Sequence, residues 1–116
     1  MSVSPPGEWT SQLRRGVLEL CILQVLNHQP SYGYEIVTTL ESLGPLASGE
    51  NTVYPLLRRL KTDRALETFT RESPAGPPRQ YYRITPEGRR RLGALTKEWD
   101  AMVDAVAQCM RKGESS

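Results

Sequence analysis

Near Asp63 the apolar pattern of this chain changes period. Upstream, Val53, Leu56, Leu57 and Leu60 recur at helical spacing; downstream, Leu66, Phe69, Tyr81, Tyr82 and Ile84 mark two short β-favouring runs. Ser73-Pro74-Ala75-Gly76-Pro77-Pro78 separates those runs, a turn signal stiffened by three prolines. A helix from about Ser48, a capping residue, to Asp63 is therefore expected to feed strands over 65–72 and 79–84. Pro55 has no N–H to donate and sits best in a first helical turn. The regular helix is thus expected to begin as late as Asn51, and an earlier start predicts a kink between Asn51 and Pro55.

Three further helices frame this centre. The first spans about Glu8 to Asn27 and carries Leu13, Val17, Leu20 and Gln24 on one side and Leu18, Ile22 and Val25 on another. A helix apolar on most sides belongs in the middle of a fold or at a dimer contact. Pro30 ends it, and the second helix is expected from Ser31, as cap, to Gly44-Pro45, with Ile36, Leu40 and Leu43 at helical spacing. The last opens on Thr85-Pro86, cap and first helical residue, and runs to about Arg111. In it Leu92, Leu95, Trp99, Met102, Val106 and Cys109 repeat at 3-4-3-4-3, with Val103 and Met110 widening the seam. A stripe of that length exceeds what a domain of about 85 residues can cover, so pairing with a second copy is the expected solution. The alternative is a helix folded back on the first.

Charge is distributed unevenly. The chain of 116 residues carries a formal +2, yet residues 58–91 hold +6, against −3 before them and −1 after. Nine of the ten cations in that segment are arginine, whose planar fork suits phosphate and base edges. No run of 18 apolar residues occurs, and the N-terminus lacks a basic-then-apolar leader pattern, so a cytoplasmic protein without membrane contact is expected. Cys21 and Cys109 lie in apolar helical stretches and read as small buried hydrophobes.

Catalysis finds little support. The single histidine, His28, sits at a helix end beside a proline, and no metal-ligand spacing, phosphate loop or nucleophile elbow is present. No cofactor is expected. The element order helix, helix, helix, strand, wing, strand instead matches a winged helix-turn-helix, mainly α with a small β-hairpin, carrying a long C-terminal dimerisation helix. Its expected divisions are a disordered tail over 1–7, a DNA-binding domain over 8–84, the dimerisation helix over 85–112 and a tail over 113–116. The third helix would enter the major groove, with Asn51 pairing with adenine and Thr52 meeting a base or a thymine methyl. Arg58 and Arg59 would meet phosphates; Arg71 and Arg79, flanking the wing tip at Gly76, would reach the backbone or minor groove. Tyr54 falls on the surface of the same helix. Tyr34 reads equally as a phosphate donor or a partly buried core residue. The competing class is an interaction module for a protein or small molecule that binds no specific DNA.

Four blocks in order give the chain a family resemblance. They are Leu13-Arg14-Arg15-Gly16-Val17-Leu18-Glu19-Leu20, Tyr32-Gly33-Tyr34-Glu35-Ile36, Thr52-Val53-Tyr54-Pro55-Leu56-Leu57-Arg58-Arg59-Leu60, and Gly76-Pro77-Pro78-Arg79-Gln80-Tyr81-Tyr82-Arg83-Ile84-Thr85 leading into Glu87-Gly88. Over Leu13 to Met110 the sequence resembles the PadR family of bacterial transcriptional regulators, in its subgroup with a single short C-terminal helix. The resemblance implies a homodimeric repressor on an inverted-repeat operator near its own or a neighbouring gene. It implies a last helix that crosses to the partner, with an interface drawn here from Leu13, Val17, Leu20, Leu92, Leu95, Trp99, Met102, Val103, Val106 and Met110. Trp99 matches a tryptophan on which aromatic effectors stack in some members; from the seam alone it reads as dimer core. Two departures stand out. Arg64 replaces the glycine usual after the third helix, so that helix end is expected to be made differently, and Pro78 replaces a cation common in the wing.

Overall fold

The computed structural model describes residues 7–115, with side chains through Gly113. Residues 1–6 and Ser116, assigned above to tails, lie outside the described residues. Helix α1 spans Glu8–His28, β1 Ser31–Tyr32, α2 Gly33–Glu41, α3 Glu50–Thr62, β2 Leu66–Ser73, β3 Gly76–Ile84 and α4 Pro86–Ser115, with a 3-10 turn at Gly44–Leu46. The three strands form one antiparallel sheet in the order β1-β3-β2. This is the winged helix-turn-helix with a C-terminal helix.

The core is assembled from one side of each helix. Leu18, Ile22, Leu23 and Leu26 of α1 pack with Ile36, Val37 and Leu40 of α2 and Val53, Leu57 and Leu60 of α3, closed by Leu66, Ile84 and Leu92. The opposite side of α1, with Leu13, Val17 and Leu20, stays exposed or half-buried. That is the division expected of a helix apolar on two faces.

Several local expectations change. Ser31 does not cap α2: it is buried in β1, paired with Tyr82, while Tyr32 takes the cap position without a side-chain bond. Two residues with no periodicity could not announce a strand; their partner lies some fifty residues downstream. Ser48 does not cap α3 either. Its hydroxyl turns back to the Leu46 carbonyl, and Gly49 occupies the cap. Helix α3 then starts at Glu50, so Pro55 falls inside it and the Asn51 carbonyl lacks its usual amide donor. The expected loop at 73–78 contracts to a turn at Pro74-Ala75. Gly76 takes φ 144°, and Pro77 and Pro78 lie in β3 where the register slips between Arg71 and Ser73. A bulge is where a strand tolerates missing donors.

The end of α3 keeps the backbone of a glycine stop despite Arg64. Arg64 itself adopts φ 64°, the Ala65 amide reaches back to the Leu60 carbonyl at 2.9 Å, and the Arg64 amide to Lys61 at 3.0 Å. Thr85 ties that corner to α4. Its hydroxyl donates to the Arg64 carbonyl at 2.7 Å and accepts from the Gly88 amide at 2.9 Å, and its own amide donates to the Ala65 carbonyl. A Cβ on Gly88 would stand 2.1 Å from that Ala65 carbonyl, so only glycine fits.

Helix α4 continues to Ser115, three residues past the expected boundary, because Gly113 keeps helical geometry instead of acting as a stop. At 30 residues it is about 45 Å long. Its first turns lie on the protomer: Leu92 is buried in the core and Leu95 packs against it. Leu92, placed above in the dimer seam, is therefore a core residue of its own chain. Beyond Leu95 the seam loses its support. Trp99 is 43 % exposed, Met102 60 % and Met110 66 %, with Val103, Val106 and Cys109 exposed beside them. Cys21 is half-buried against the core, and burial raises its thiol pKa; Cys109, expected to be buried, is not.

Candidate nucleic-acid interface

Helix α3 carries Val53, Leu57 and Leu60 inward, which turns Asn51, Pro55 and Arg58 outward at helical spacing. Asn51 and Arg58 are exposed, and neither makes a side-chain hydrogen bond or ion pair among the described residues. Tyr54 sits on the flank towards α2 and is half-buried. A Cβ on Gly33 would meet its ring at 2.4 Å, so the glycine lets α2 close down on that tyrosine. Burial first, then the charge of Glu50 and the neighbouring phenols of Tyr82 and Tyr34, push the Tyr54 phenol above its ordinary pKa, keeping it a neutral donor.

Thr52 and Arg59 fall on the other flank, facing α1. Arg59, expected to meet phosphate freely, is already engaged. Its Nη2 donates to Glu19 Oε1 at 2.6 Å; Glu19 Oε2 accepts from Arg91 Nε at 2.7 Å, and Arg91 reaches Asp63 at 3.4 Å. Helices α1, α3 and α4 are thus joined by one ion-pair cluster. The contact spans forty residues, so no local pattern could reveal it.

The hairpin sorts its residues by alternation. In the register Glu67↔Arg83, Phe69↔Tyr81 and Arg71↔Arg79, odd-numbered residues share the outer face, while Leu66, Thr68, Tyr82 and Ile84 face the helices. Tyr32 of β1 stands beside Tyr81, rings 5.4 Å apart, and Phe69 stacks on Tyr81 at 5.5 Å. Arg71 lies 4.4 Å over Tyr81, Arg79 4.4 Å over Tyr32 and Arg83 4.6 Å over Phe69. Arg83 is also paired with Glu67 at 2.9 Å. Arg71 and Arg79, directly opposed, have no acidic partner among the described residues. Like charges directly across a ladder repel. The aromatic faces beneath them offset part of that cost and hold both guanidiniums in place.

Tyr34, Tyr54 and Arg79 come together around one shallow cleft of about 480 Å³ between α2, α3 and the wing, joined by Tyr32, Gly33 and Gln80. The last three escaped sequence reasoning, although strand alternation alone places Tyr81 and Arg83 with Arg79. Tyr34, read either way from the sequence, is 61 % exposed. Gly76 shapes the turn through its positive φ and offers no side chain.

A second concave surface lies away from this face. Leu13, Val17 and Leu20 of α1 meet Leu95, Trp99 and Met102 of α4 around a mostly apolar groove of about 540 Å³. Leu92, Val103, Val106 and Met110 do not line it.

This architecture has close counterparts. The sequence profile of the transcriptional regulator PadR-like family matches residues 22–94, from mid-α1 to the first turns of α4. The chain belongs to the PadR-like family of transcriptional regulators. A PadR-like transcriptional regulator from Bacillus cereus superposes with a TM-score of 0.79 at 34 % identity, over 85 % of this chain and 96 % of that one. A PadR family regulator from Eggerthella lenta gives 0.77 at 36 %, over 85 % and 86 %. A protein from Lysinibacillus sphaericus is 33 % identical over 98 residues, 83 % of this chain and 90 % of its own length. A Bacillus subtilis PadR in complex with operator DNA shares the fold at a TM-score of 0.63 and 23 % identity, over 69 % of this chain and 46 % of that one. The PadR-like profile thus spans α2, α3 and the wing, the elements that carry the exposed polar face.

Proposed function

We propose that this regulator is a homodimeric repressor that binds an inverted-repeat operator near its own or a neighbouring gene. Helix α3 enters the major groove with Asn51 and Arg58 foremost, and the wing lays Arg71 and Arg79 along the adjacent backbone or minor groove. The observation that carries the reading is the opposed Arg71·Arg79 pair, exposed and without an acid, set on aromatic rings beside the polar face of α3. A fold that tolerates such repulsion is matched to a polyanion. Operator DNA is the partner with which the Bacillus subtilis PadR of the same fold was solved.

Two copies join through the unsupported half of α4, residues Trp99 to Met110, against the Leu13–Val17–Leu20 side of α1. Residues 8–84 act as the DNA-binding unit and the helix from Thr85 as the dimerisation unit. The apolar groove with Trp99 on its wall accommodates an aromatic effector, whose entry alters the separation of the two α3 helices and relieves repression. Quenching of Trp99 fluorescence by aromatic compounds tests that step; a response confined to Trp9 rejects it.

A gel shift against DNA upstream of the protein's own gene tests the main reading. A discrete complex that outlasts excess random competitor supports it. Equal competition by random sequence removes the specific-repressor role.

A further inference from the structure

The flank of α3 opposite the wing holds a second cleft, of about 560 Å³, between α1 and α3. Arg15, Gly16, Glu19, Thr52, Pro55 and Arg59 line it. Two guanidiniums line it, Arg15 and the Glu19-bound Arg59, and a third, Arg91, reaches the same Glu19 from α4. Among the described residues, the acids that answer them are Glu19 and Asp63. Both oxygens of Glu19 are engaged, one by Arg59 at 2.6 Å and the other by Arg91 at 2.7 Å. Arg15 precedes Glu19 by one helical turn, the spacing at which the two would ordinarily pair, yet among the described residues it makes no ion pair or side-chain hydrogen bond. Its neighbour Arg14 is committed inward, donating to the Pro45 carbonyl at 3.0 Å. The cluster therefore holds one positive charge in excess, carried by the exposed Arg15 at a cleft that Thr52 also lines.

We propose that this cleft is a backbone-phosphate site, with Arg15 as its principal donor and Thr52 as a second. The inference rests on the DNA-binding reading of α3 and adds a contact from α1, Arg15, that α3 and the wing do not supply. A helix lying in the major groove has a sugar-phosphate strand on each side of it. On one flank of α3 stands the cleft with Tyr34, Tyr54 and Arg79; on the other stands the cleft with Arg15 and Thr52. The two clefts thus bracket the outward Asn51–Pro55–Arg58 face as two phosphate strands bracket a groove. Glu19 has a part in this arrangement. By holding Arg59 and Arg91, it leaves a single surplus charge, the demand of one phosphodiester, and orients Arg59 along the cleft wall. Thr52, expected above to read a base, becomes a positioning residue.

The test is a salt series of equilibrium binding by the full-length protein, comparing wild type, Arg15→Gln and, as control, Arg111→Gln near the end of α4. Each protein is titrated with the same upstream duplex and with a scrambled duplex. Glutamine keeps bulk and removes charge at a solvent-facing site, and a melting curve verifies folding. The slope of log K against log salt should fall in magnitude by about 0.9 for each half-site engaged. Affinity should drop by a similar factor on both duplexes, and Arg111→Gln should match wild type. An unchanged Arg15→Gln slope, with wild type still forming a specific salt-dependent complex, overturns the phosphate site and leaves the functional reading intact. A loss confined to the upstream duplex also overturns it, because that would mark a base contact. Failure of wild type to bind either duplex removes the functional reading and this site with it.

Discussion

Arg64 is the non-glycine residue at positive φ among those described, and it sits where α3 turns into the hairpin. A left-handed backbone costs an L-residue about 1–2 kcal/mol, and glycine avoids most of it. Arg64→Gly should therefore raise unfolding stability by about 0.5–1 kcal/mol in denaturant titration, the remainder being lost to the greater freedom of glycine in the unfolded chain. A destabilised variant would mean that the arginine side chain earns its place by a contact. Asn51 raises the opposite issue: it is exposed and, among the described residues, without a side-chain partner. Asn51→Ala should leave the melting temperature unchanged, weaken operator binding by about 1–3 kcal/mol and relax preference at one base pair. Uniform weakening across all sequences would instead make it a phosphate contact.

At the scale of elements, the wing separates two kinds of arginine. Arg83 is paired with Glu67 and stabilises the sheet; Arg71 and Arg79 have no acidic partner among the described residues and face outward. Arg79→Ala should reduce the salt slope by about 1 per half-site with little change in stability, whereas an unaltered slope would place the wing off the DNA. Elements with a strong period were legible beforehand. Helices α1, α3 and α4 and both hairpin strands follow directly from apolar spacing, and Thr85-Pro86 marks the start of α4 to the residue. What escaped depends on distant partners. Strand β1 exists because Tyr81 and Tyr82 offer it a ladder, and Arg59 is held by an acid forty residues earlier. Leu92 belongs to a seam by spacing yet is buried by its own domain, because α4 lies on α1 for its first turns before leaving it. Local pattern specifies which side of a helix is apolar and leaves open what covers it.

As a whole, the molecule is elongated. It measures 60 × 32 × 22 Å, with a radius of gyration of 17.1 Å, against about 13 Å for a compact chain of this length. The excess is α4, whose distal half leaves Trp99, Met102, Val103, Val106 and Met110 exposed. A contiguous apolar stripe of that kind is an interaction surface. Val106→Glu should shift the protein from dimer to monomer in sedimentation velocity and, through loss of paired half-sites, abolish tight operator binding while the isolated domain stays folded. A dimer undisturbed by a charge at that position would move the interface elsewhere.

Two copies joined by α4 are proposed to present two α3 helices and two wings to one duplex. Sedimentation equilibrium of the protein with a duplex from its own upstream region is the most direct test of it. Two chains per duplex are expected, with an affinity that exceeds that for a scrambled duplex and falls as salt rises. One chain per duplex, or equal affinity for both sequences, would contradict it.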